Sequence, residues 1–150
     1  MTSLQTLPEQ AQKSRHLEFR RPIADILADL SKPIPQRFLD RFQQGKTTIT
    51  YIPWFNACKL LDYYAPGWHG AVTHIHTTAE RIFLTYQLSI IAEEGMFVRE
   101  ATGTESLKER DRSGEMKEIA YGDPSSNAES MAFRRAAAKF GLGLYLYEKD

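Results

Sequence analysis

The spacing of hydrophobic positions predicts that regular structure begins near residue 22 and opens with two short helices. Pro22 suits the first turn of a helix, and the apolar residues after it recur at i, i+3, i+4 and i+7, namely Ile23, Ile26, Leu27 and Leu30. A second short helix, ending at Gly45, is predicted from three further apolar residues, Phe38, Leu39 and Phe42. Residues 1–20 lack such periodicity, and we expect a flexible N-terminal arm there.

The middle of the chain predicts a strand, a helix and then a meander of strands. Residues 47–52 are rich in β-branched side chains. Pro53 opens a helix whose inner face carries Ala57, Leu60, Leu61 and Tyr64. Strands are predicted at about residues 68–77, 80–92 and 96–104, and the glycine-containing connection between the last two suits a hairpin. We interpret the charge-dense residues 105–115 as a solvated loop or hairpin tip, and residues 116–121 as a further strand.

The last predicted element is a helix with one apolar flank and cations around the rest of its circumference. Ser126 and Glu129 have the spacing of a capping box, so the helix is expected to begin there. At about 100° per residue, one flank collects the apolar residues Phe133, Ala136, Ala137 and Phe140. The remaining circumference carries the cations Arg134, Arg135 and Lys139. One side of the helix is therefore expected to pack into the core, and the other side can bind anions.

This order of elements predicts an α+β fold in which an antiparallel β-meander sheet packs against helices on one face. The chain has 150 residues, of which 42% are hydrophobic and 25% charged, which suits one domain of ordinary make-up. We therefore assign residues 21–150 to a single domain that follows the arm.

The predicted cellular compartment rests on the lack of a membrane span and of a signal-peptide pattern in the sequence. No apolar run approaches the ~18 residues of a membrane span, and the N-terminus has no signal-peptide pattern. We expect a cytoplasmic protein, associated with the nucleoid if it is bacterial, with no membrane partner. Cys58 is the single cysteine, so no internal disulfide can form, and we interpret it as a small buried hydrophobic residue.

The charge balance restricts how the chain could bind nucleic acid. Nineteen Lys and Arg residues face nineteen Asp and Glu residues, so the formal net charge is zero. Bulk charge alone would not hold a polyanion, and any anion site must be local. Residues 13–46 are one basic region, with eight cations against four carboxylates, and they include Arg41 and Lys46.

Two enzymatic signals are present but incomplete. The sequence GKTT at 45–48 is similar to the end of a P-loop, but the leading glycine would have to replace Asp40, and a strand follows where a helix should. His74 and His76 share one face of a predicted strand, with His69 nearby, yet no cysteine or acidic residue completes a metal set. We predict no metal site, no cofactor and no enzymatic activity.

Two groups of side chains have an ordinary explanation beside a functional one. Aromatic residues cluster around the third helix and the strand after it: Trp54, Phe55, Tyr63, Tyr64 and Trp68. They could stack on the bases of a single strand, although core packing is the default for Trp and Tyr. The cations of the final helix could likewise only coat an exposed face.

The final helix and several upstream motifs together match a known pattern. Residues 127–141, NAESMAFRRAAAKFG, form a basic helix with an F-G ending. Upstream positions follow in a consistent order and spacing: Leu30, Pro35, Arg41, Gly45, Tyr51-Ile52 and Gly67-Trp68. This set, covering about residues 25–150, resembles the annealing domain of the Rad-fifty-two single-strand annealing family. It is also similar to the related bacterial DNA-damage-response protein A and to phage annealases.

The resemblance implies a β-meander packed on the basic helix, with protomers joined side by side into a ring that binds single-stranded DNA and anneals complementary strands without ATP. Arg134 and Arg135 match the paired positions that contact the DNA backbone in the family. The family often has a third cation at the position of Ala138, and here Lys139 is its neighbour. Trp54 and Phe55 occupy the place of a usual basic residue, so one outer contact is either replaced by stacking or lost.

Three hypotheses follow. The first is an ATP-independent annealing protein of recombination and double-strand break repair, in which Arg134, Arg135, Lys139, Lys46 and Arg41 contact DNA, and Trp54 and Phe55 are candidates for base stacking. A recombinase or a single-strand-binding protein would be a natural partner. The second is a protein of the same fold that coats single strands or protects DNA ends without annealing. The third is a structural or interaction domain whose basic helix contacts an acidic partner.

Overall fold

The structure is a computed structural model that describes residues 19–118 and 123–148. In chain order its elements are α1 (Ile23–Leu30), β1 (Asp40–Gln44), β2 (Thr47–Tyr51), α2 (Trp54–Tyr64), β3 (His69–Thr77), β4 (Arg81–Ala92), β5 (Gly95–Ser106), β6 (Lys108–Arg110), β7 (Met116–Glu118) and α3 (Pro124–Lys139), with 3-10 turns at Gln36–Phe38 and Leu144–Tyr147. The strands pair as β1–β2, β3–β4–β5 and β6–β7, all antiparallel. The predicted α+β class is confirmed. None of the helices in these residues is long and apolar enough to cross a bilayer.

The central meander buries one face under α3. Residues that alternate along β4 are buried in a single row: Ile82, Leu84, Tyr86, Leu88, Ile90 and Ala92. At Gly103 of β5 the helix approaches so closely that a Cβ atom would lie 2.0 Å from the carbonyl oxygen of Ala128. The opposite face of the sheet leaves large side chains exposed, including Phe83 and Met96. The prediction of helices on one face of the sheet is therefore confirmed.

The prediction of a second short helix ending at Gly45 is wrong. Only Gln36–Phe38 forms a turn of 3-10 helix, and Phe42 lies in β1, opposite Ile49 of β2. The two strands are joined by the two-residue turn Gly45-Lys46, where Gly45 has the positive φ of 63° that such hairpin turns favour. The apolar spacing fits a short helix, but the β-rich strand that follows gives residues 40–44 a ladder partner, and cross-strand pairing decides the conformation.

Helix α3 begins three residues earlier than the predicted capping box. Its N-cap is Asp123, whose side chain accepts a hydrogen bond from the backbone N–H of Ser126 at 3.2 Å, and Pro124 occupies the first turn. The helix can start at this earlier position because the aspartate side chain accepts a hydrogen bond from a free backbone N–H and proline suits the first helical turn. The predicted apolar flank is confirmed, since Phe133, Ala136, Ala137 and Phe140 are all buried.

The F-G ending of α3 is a Schellman motif. The backbone N–H of Leu142 donates to Ala137 O at 3.1 Å, and that of Gly141 donates to Ala138 O at 2.8 Å. Gly141 has φ 111°, a conformation that other residues rarely adopt. Its missing side chain also leaves room for Ser31, whose Oγ would lie 2.3 Å from an added Cβ. The ending therefore fixes how the C-terminal turn packs beside α1.

Most of the remaining helix and strand boundaries agree with those predicted from the sequence. The inner face of α2 includes Ala57, Leu60 and Leu61 as predicted, but Tyr63 is more deeply buried than Tyr64. Residues 105–115 combine the end of β5, strand β6 and a turn, and β6 pairs with β7, so the interpretation as a hairpin tip is confirmed. The predicted strand at 116–121 is observed over Met116–Glu118, and its remainder lies outside the described residues.

An ion-pair cluster lies where the predicted domain begins. Arg21 is 7% exposed and pairs with Asp29 of α1 at 2.5 Å, while its second guanidinium nitrogen donates to Tyr64 O at 2.8 Å. Lys32 contacts the other carboxylate oxygen of Asp29 at 2.8 Å. The contacts place Arg21 inside the folded unit. The predicted arm falls almost wholly in residues 1–18, outside the described part of the chain, and the division at residue 20 stays a prediction.

Candidate nucleic-acid interface

Helix α3 carries its three cations on the side turned away from the core. Arg135 and Lys139 are exposed and Arg134 is half-buried, whereas Ala138 is 4% exposed and packs inward. Because Lys139 follows Arg135 by four residues, the two lie on the same flank of the helix. The third cation of this surface is therefore at Lys139, and the position of Ala138 belongs to the interior.

Arg135 and Lys139 reach across the outer edge of β5. Arg135 Nη1 donates to Thr102 O at 3.1 Å, and Lys139 Nζ donates to Glu100 O at 2.5 Å. In the described residues β5 pairs only with β4, so these two carbonyl groups belong to the open edge of the sheet, where unpaired backbone groups accept side-chain donors. Both cations thus donate to neutral partners, and no carboxylate among the described residues pairs with either of them.

Arg134 points toward the β1–β2 hairpin. Its guanidinium carbon lies 5.5 Å from the centroid of the Tyr51 ring, a cation–π contact that orients the side chain. Tyr51 in turn meets Phe42 edge-to-face at 5.5 Å. The hairpin therefore supports a cation of α3 with an aromatic pair.

Two grooves flank these cations. The first, of about 220 Å³, lies between the hairpin, α3 and the C-terminal 3-10 turn, and both arginines line it. The second, of about 290 Å³, lies between α3 and β5 and is lined by Arg135 and Lys139. Tyr147, which is 52% exposed, borders both grooves, as does Arg135. Cationic and aromatic groups therefore share one continuous surface.

The hairpin cations do not join this surface directly. Arg41 pairs with Thr50 and so leaves β1 on the face opposite to Phe42. Its guanidinium contacts the side chain of Gln36 at 3.4 Å. Lys46 is exposed in the hairpin turn. The strand predicted after the GKTT sequence at 45–48 is confirmed as β2, which stands where a P-loop requires a helix.

The aromatic cluster divides into packed and exposed members. Trp68 stacks on Phe133 at 5.8 Å and donates from Nε1 to Asp62 at 2.7 Å, which is a structural role. Trp54 and Phe55 are 51% and 50% exposed. Core packing, the default assumed for the cluster, is therefore wrong for these two residues. Trp54 borders a small hollow together with Ser130 and Phe133. Ser130 lies one helical turn before Arg134 on α3.

Sequence reasoning missed three residues of this region. The apolar spacing predicts a helix at Phe42, yet Phe42 is 47% exposed on the hairpin, and no motif in the sequence indicates Tyr147. Arg99 of β5 lies over the Phe140 ring at 4.9 Å, beside the contact that Lys139 makes with Glu100. The glycine-containing turn at Gly45-Lys46 before the β-rich residues 47–51 is the signal that could have indicated a hairpin and so located Phe42.

The described residues do not bring the histidines or Cys58 into a metal site or a nucleophilic site. His74 and His76 share the outer face of the sheet, as predicted, and His76 lies 6.2 Å from Phe83. Among the described residues, no three His, Cys, Asp or Glu side chains converge on a metal position. Cys58 is half-buried, and burial raises the pKa of its thiol to about 11, which makes it a poor nucleophile.

Comparisons with known proteins identify the family to which the sequence is similar. Residues 22–150 match the model of the Rad52/22 family double-strand break repair protein. DNA repair RAD52-like protein 1, mitochondrial, from Arabidopsis thaliana is 34% identical over 132 residues, which is 87% of this chain and 70% of the relative. DNA repair RAD52-like protein 2, chloroplastic, from the same plant is 38% identical over 133 residues, 86% of this chain and 62% of the relative. The names of these relatives are organellar, and a cytoplasmic location for this chain stays a prediction.

Proposed function

Because this chain belongs to the Rad52/22 family of double-strand break repair proteins, we propose that it binds single-stranded DNA on the cationic surface of α3 and anneals complementary strands without ATP. The observation that carries the proposal is the juxtaposition of Arg134, Arg135 and Lys139 with two grooves and no carboxylate partner in the described residues. Cations with neutral partners can exchange them for phosphates.

The physical mechanism is sequence-independent. Cations on a rigid helix hold the phosphates of one strand, and the bases remain available to a second strand, so base pairing performs the recognition. The protein supplies no chemical step. A chain of zero net charge can still bind tightly if side-by-side protomers in a ring align one local cationic surface each, because linked sites raise the effective concentration of each contact.

Salt dependence tests the cationic surface. If three cations each neutralise one phosphate, log K should fall with log salt by about two per engaged subunit, at about 0.7 per contact on a single strand. We expect Arg135→Ala to reduce that slope by about 0.7 and to weaken binding at moderate salt. Arg112→Ala is the matched control, because Arg112 is exposed in the turn between β6 and β7, away from both grooves. An unchanged slope in Arg135→Ala would move the site elsewhere.

An annealing assay separates the proposal from its alternatives. Complementary labelled oligonucleotides are mixed with the protein in the absence of ATP, and particles of the same sample are imaged for rings. Faster pairing supports annealing, whereas binding without faster pairing indicates a coating or end-protecting protein. Absence of DNA affinity at low salt indicates an acidic protein partner instead.

A further inference from the structure

The two edges of the central sheet are protected in different ways. Among the described residues the sheet has the order β3–β4–β5, so β3 and β5 each have one side without a strand partner. The edge of β5 is covered, since Arg135 and Lys139 donate to Thr102 O and Glu100 O. Strand β3 contains no Asp, Glu, Lys, Arg or Pro, the residues that usually prevent an edge from pairing. One edge is therefore covered by two cations of α3, and the other is bare.

Strand β3 also carries apolar side chains that the fold leaves uncovered. Val72 and Ile75 pair with buried residues of β4, so they lie on the face of the sheet that α3 covers. Helix α3 packs mainly on β4 and β5, however, and Val72 and Ile75 remain 36% and 65% exposed. A bulge between Val72 and His74 precedes a regular run that extends to Thr77. This run has the free backbone groups and the apolar side chain of a strand that pairs with another.

The space beside the β5 edge fits such a strand. The groove of about 290 Å³ between α3 and β5 has apolar walls, provided by Ala101, Ala138, Leu144 and the ring of Tyr147. A strand added to β5 would continue the sheet and would direct alternate side chains toward α3, into this groove. In a ring each contact joins two different surfaces of the protomer, so β5 of one copy can meet β3 of the next. Because β3 has no carboxylate, it would leave the displaced cations without an ionic partner and available to phosphates.

We propose that the edge of β5 is an autoinhibitory contact, which holds Arg135 and Lys139 in a single protomer and releases both when it pairs with β3 of a second copy. The inference rests on the proposed function and adds its regulation. Release follows because strand pairing and side-chain capping use the same backbone acceptors, Thr102 O and Glu100 O. Assembly therefore strengthens DNA binding, and by linkage DNA strengthens assembly to the same extent.

A variant with a blocked edge tests the release. Ile75→Lys places a charge on the bare edge, which opposes pairing, and sedimentation should show single protomers in place of the wild-type assembly. Affinity is measured for the longest oligothymidylate that still binds one molecule per protomer, so that no strand bridges two protomers. Ile75→Lys should bind this probe about two- to fivefold more weakly, equivalent to about 0.5–1 kcal/mol from two surface hydrogen bonds. In the double variant Arg135→Ala and Lys139→Ala, adding Ile75→Lys should cause no further loss.

Hydrogen exchange locates the contact. The backbone N–H groups of residues 98–106 should exchange more slowly in the wild-type assembly than in Ile75→Lys, whereas those of β7 should not differ. Met116→Lys is the matched control, because Met116 is 45% exposed on β7, in a separate sheet, and the variant gains the same charge. It should keep both assembly and affinity. Circular dichroism and thermal unfolding check each variant, and Val72→Lys provides the test if Ile75→Lys loosens the fold.

Several results would overturn the release. A wild-type protein that stays as single protomers, an assembly that survives both edge variants, or single protomers with unchanged affinity each contradict it. Protection of β5 that appears only after DNA is added identifies the DNA strand as the occupant of the edge, and this also contradicts it. If Arg135→Ala weakens binding equally in assembled and single protomers, the cationic surface stands and the release fails. If Arg135→Ala has no effect in either state, the proposed function of this surface fails as well.

Discussion

The two groups of cations in this domain have opposite surroundings. Arg21 lies beneath the surface, where the carboxylate of Asp29 and a backbone carbonyl compensate its charge. Arg135 and Lys139 are exposed and, within the described residues, donate to neutral backbone carbonyls at the edge of β5. A charge that folding has compensated cannot hold a phosphate, whereas a charge with neutral partners can exchange them. The zero net charge of the chain therefore conceals a locally positive surface.

The energetic consequences differ accordingly. A buried pair repays the cost of desolvation only while both partners are present, so removing one leaves an uncompensated charge. A solvent-exposed hydrogen bond to a carbonyl contributes little net stability, no more than about 0.5 kcal/mol at a surface position, because water or a phosphate can replace it. The first group should govern folding, and the second should govern binding.

The largest expected effect is on stability at the buried pair. Arg21→Met should lower the free energy of unfolding by about 3 kcal/mol, because Lys32, on the other carboxylate oxygen, is then the only ionic partner of Asp29 within residues 19–118 and 123–148. Urea unfolding followed by circular dichroism measures this loss. The neighbouring Arg20→Met is the control, since Arg20 is exposed and its replacement should change stability by less than about 0.5 kcal/mol. Equal effects in the two variants would contradict a buried role for Arg21.

A smaller effect is expected from acid. Burial alone would raise the pKa of Asp29, but hydrogen bonds from Lys32 and Arg21 outweigh it and hold the pKa below its ordinary value of 3.8. A lowered carboxyl pKa contributes stability that is present above about pH 5 and is lost as pH falls below about 4. The loss is smaller than that in Arg21→Met because a protonated carboxyl still accepts a hydrogen bond from Arg21.

Unfolding measured between neutral and acidic pH tests this dependence. The stability difference between the wild type and Asp29→Asn should shrink as the pH falls through that range. Asp25→Asn serves as the control, because Asp25 is exposed in the first turn of the same helix. A difference between wild type and Asp29→Asn that stays constant with pH would refute the role of the carboxylate charge.

The smallest stability effect is expected on α3. Arg135→Met should change the free energy of unfolding by no more than about 0.5 kcal/mol, because the side chain is exposed and its carbonyl partner can bond to water. The same variant should bind single-stranded DNA more weakly, as measured by fluorescence anisotropy. A stability loss comparable with that of Arg21→Met would erase the distinction between the two cation groups.

Local patterns were sufficient for most elements of the fold. Helices α1 and α2, the three long strands and the apolar flank of α3 follow from periodicity, because burial of one face imposes it on the sequence. The hairpin β1–β2 was missed because the spacing of Phe38 and Phe42 fits a helical turn as well as a strand, and pairing with a later segment decides between them. The helix start was misplaced because two capping patterns overlap at residues 123–129.

The α+β class, the two-sided final helix and the identity of its cations can all be predicted from the chain, because they depend on the order and period of its residues. Tertiary structure alone decided which cations act together. It brought Arg134 against Tyr51, placed Arg135 and Lys139 on the edge of β5 and separated Arg41 from them. It also joined Phe42 and Tyr147, far apart in sequence, at the rim of one groove. Such neighbours arise only when packed elements bring distant residues together, and no local pattern encodes them.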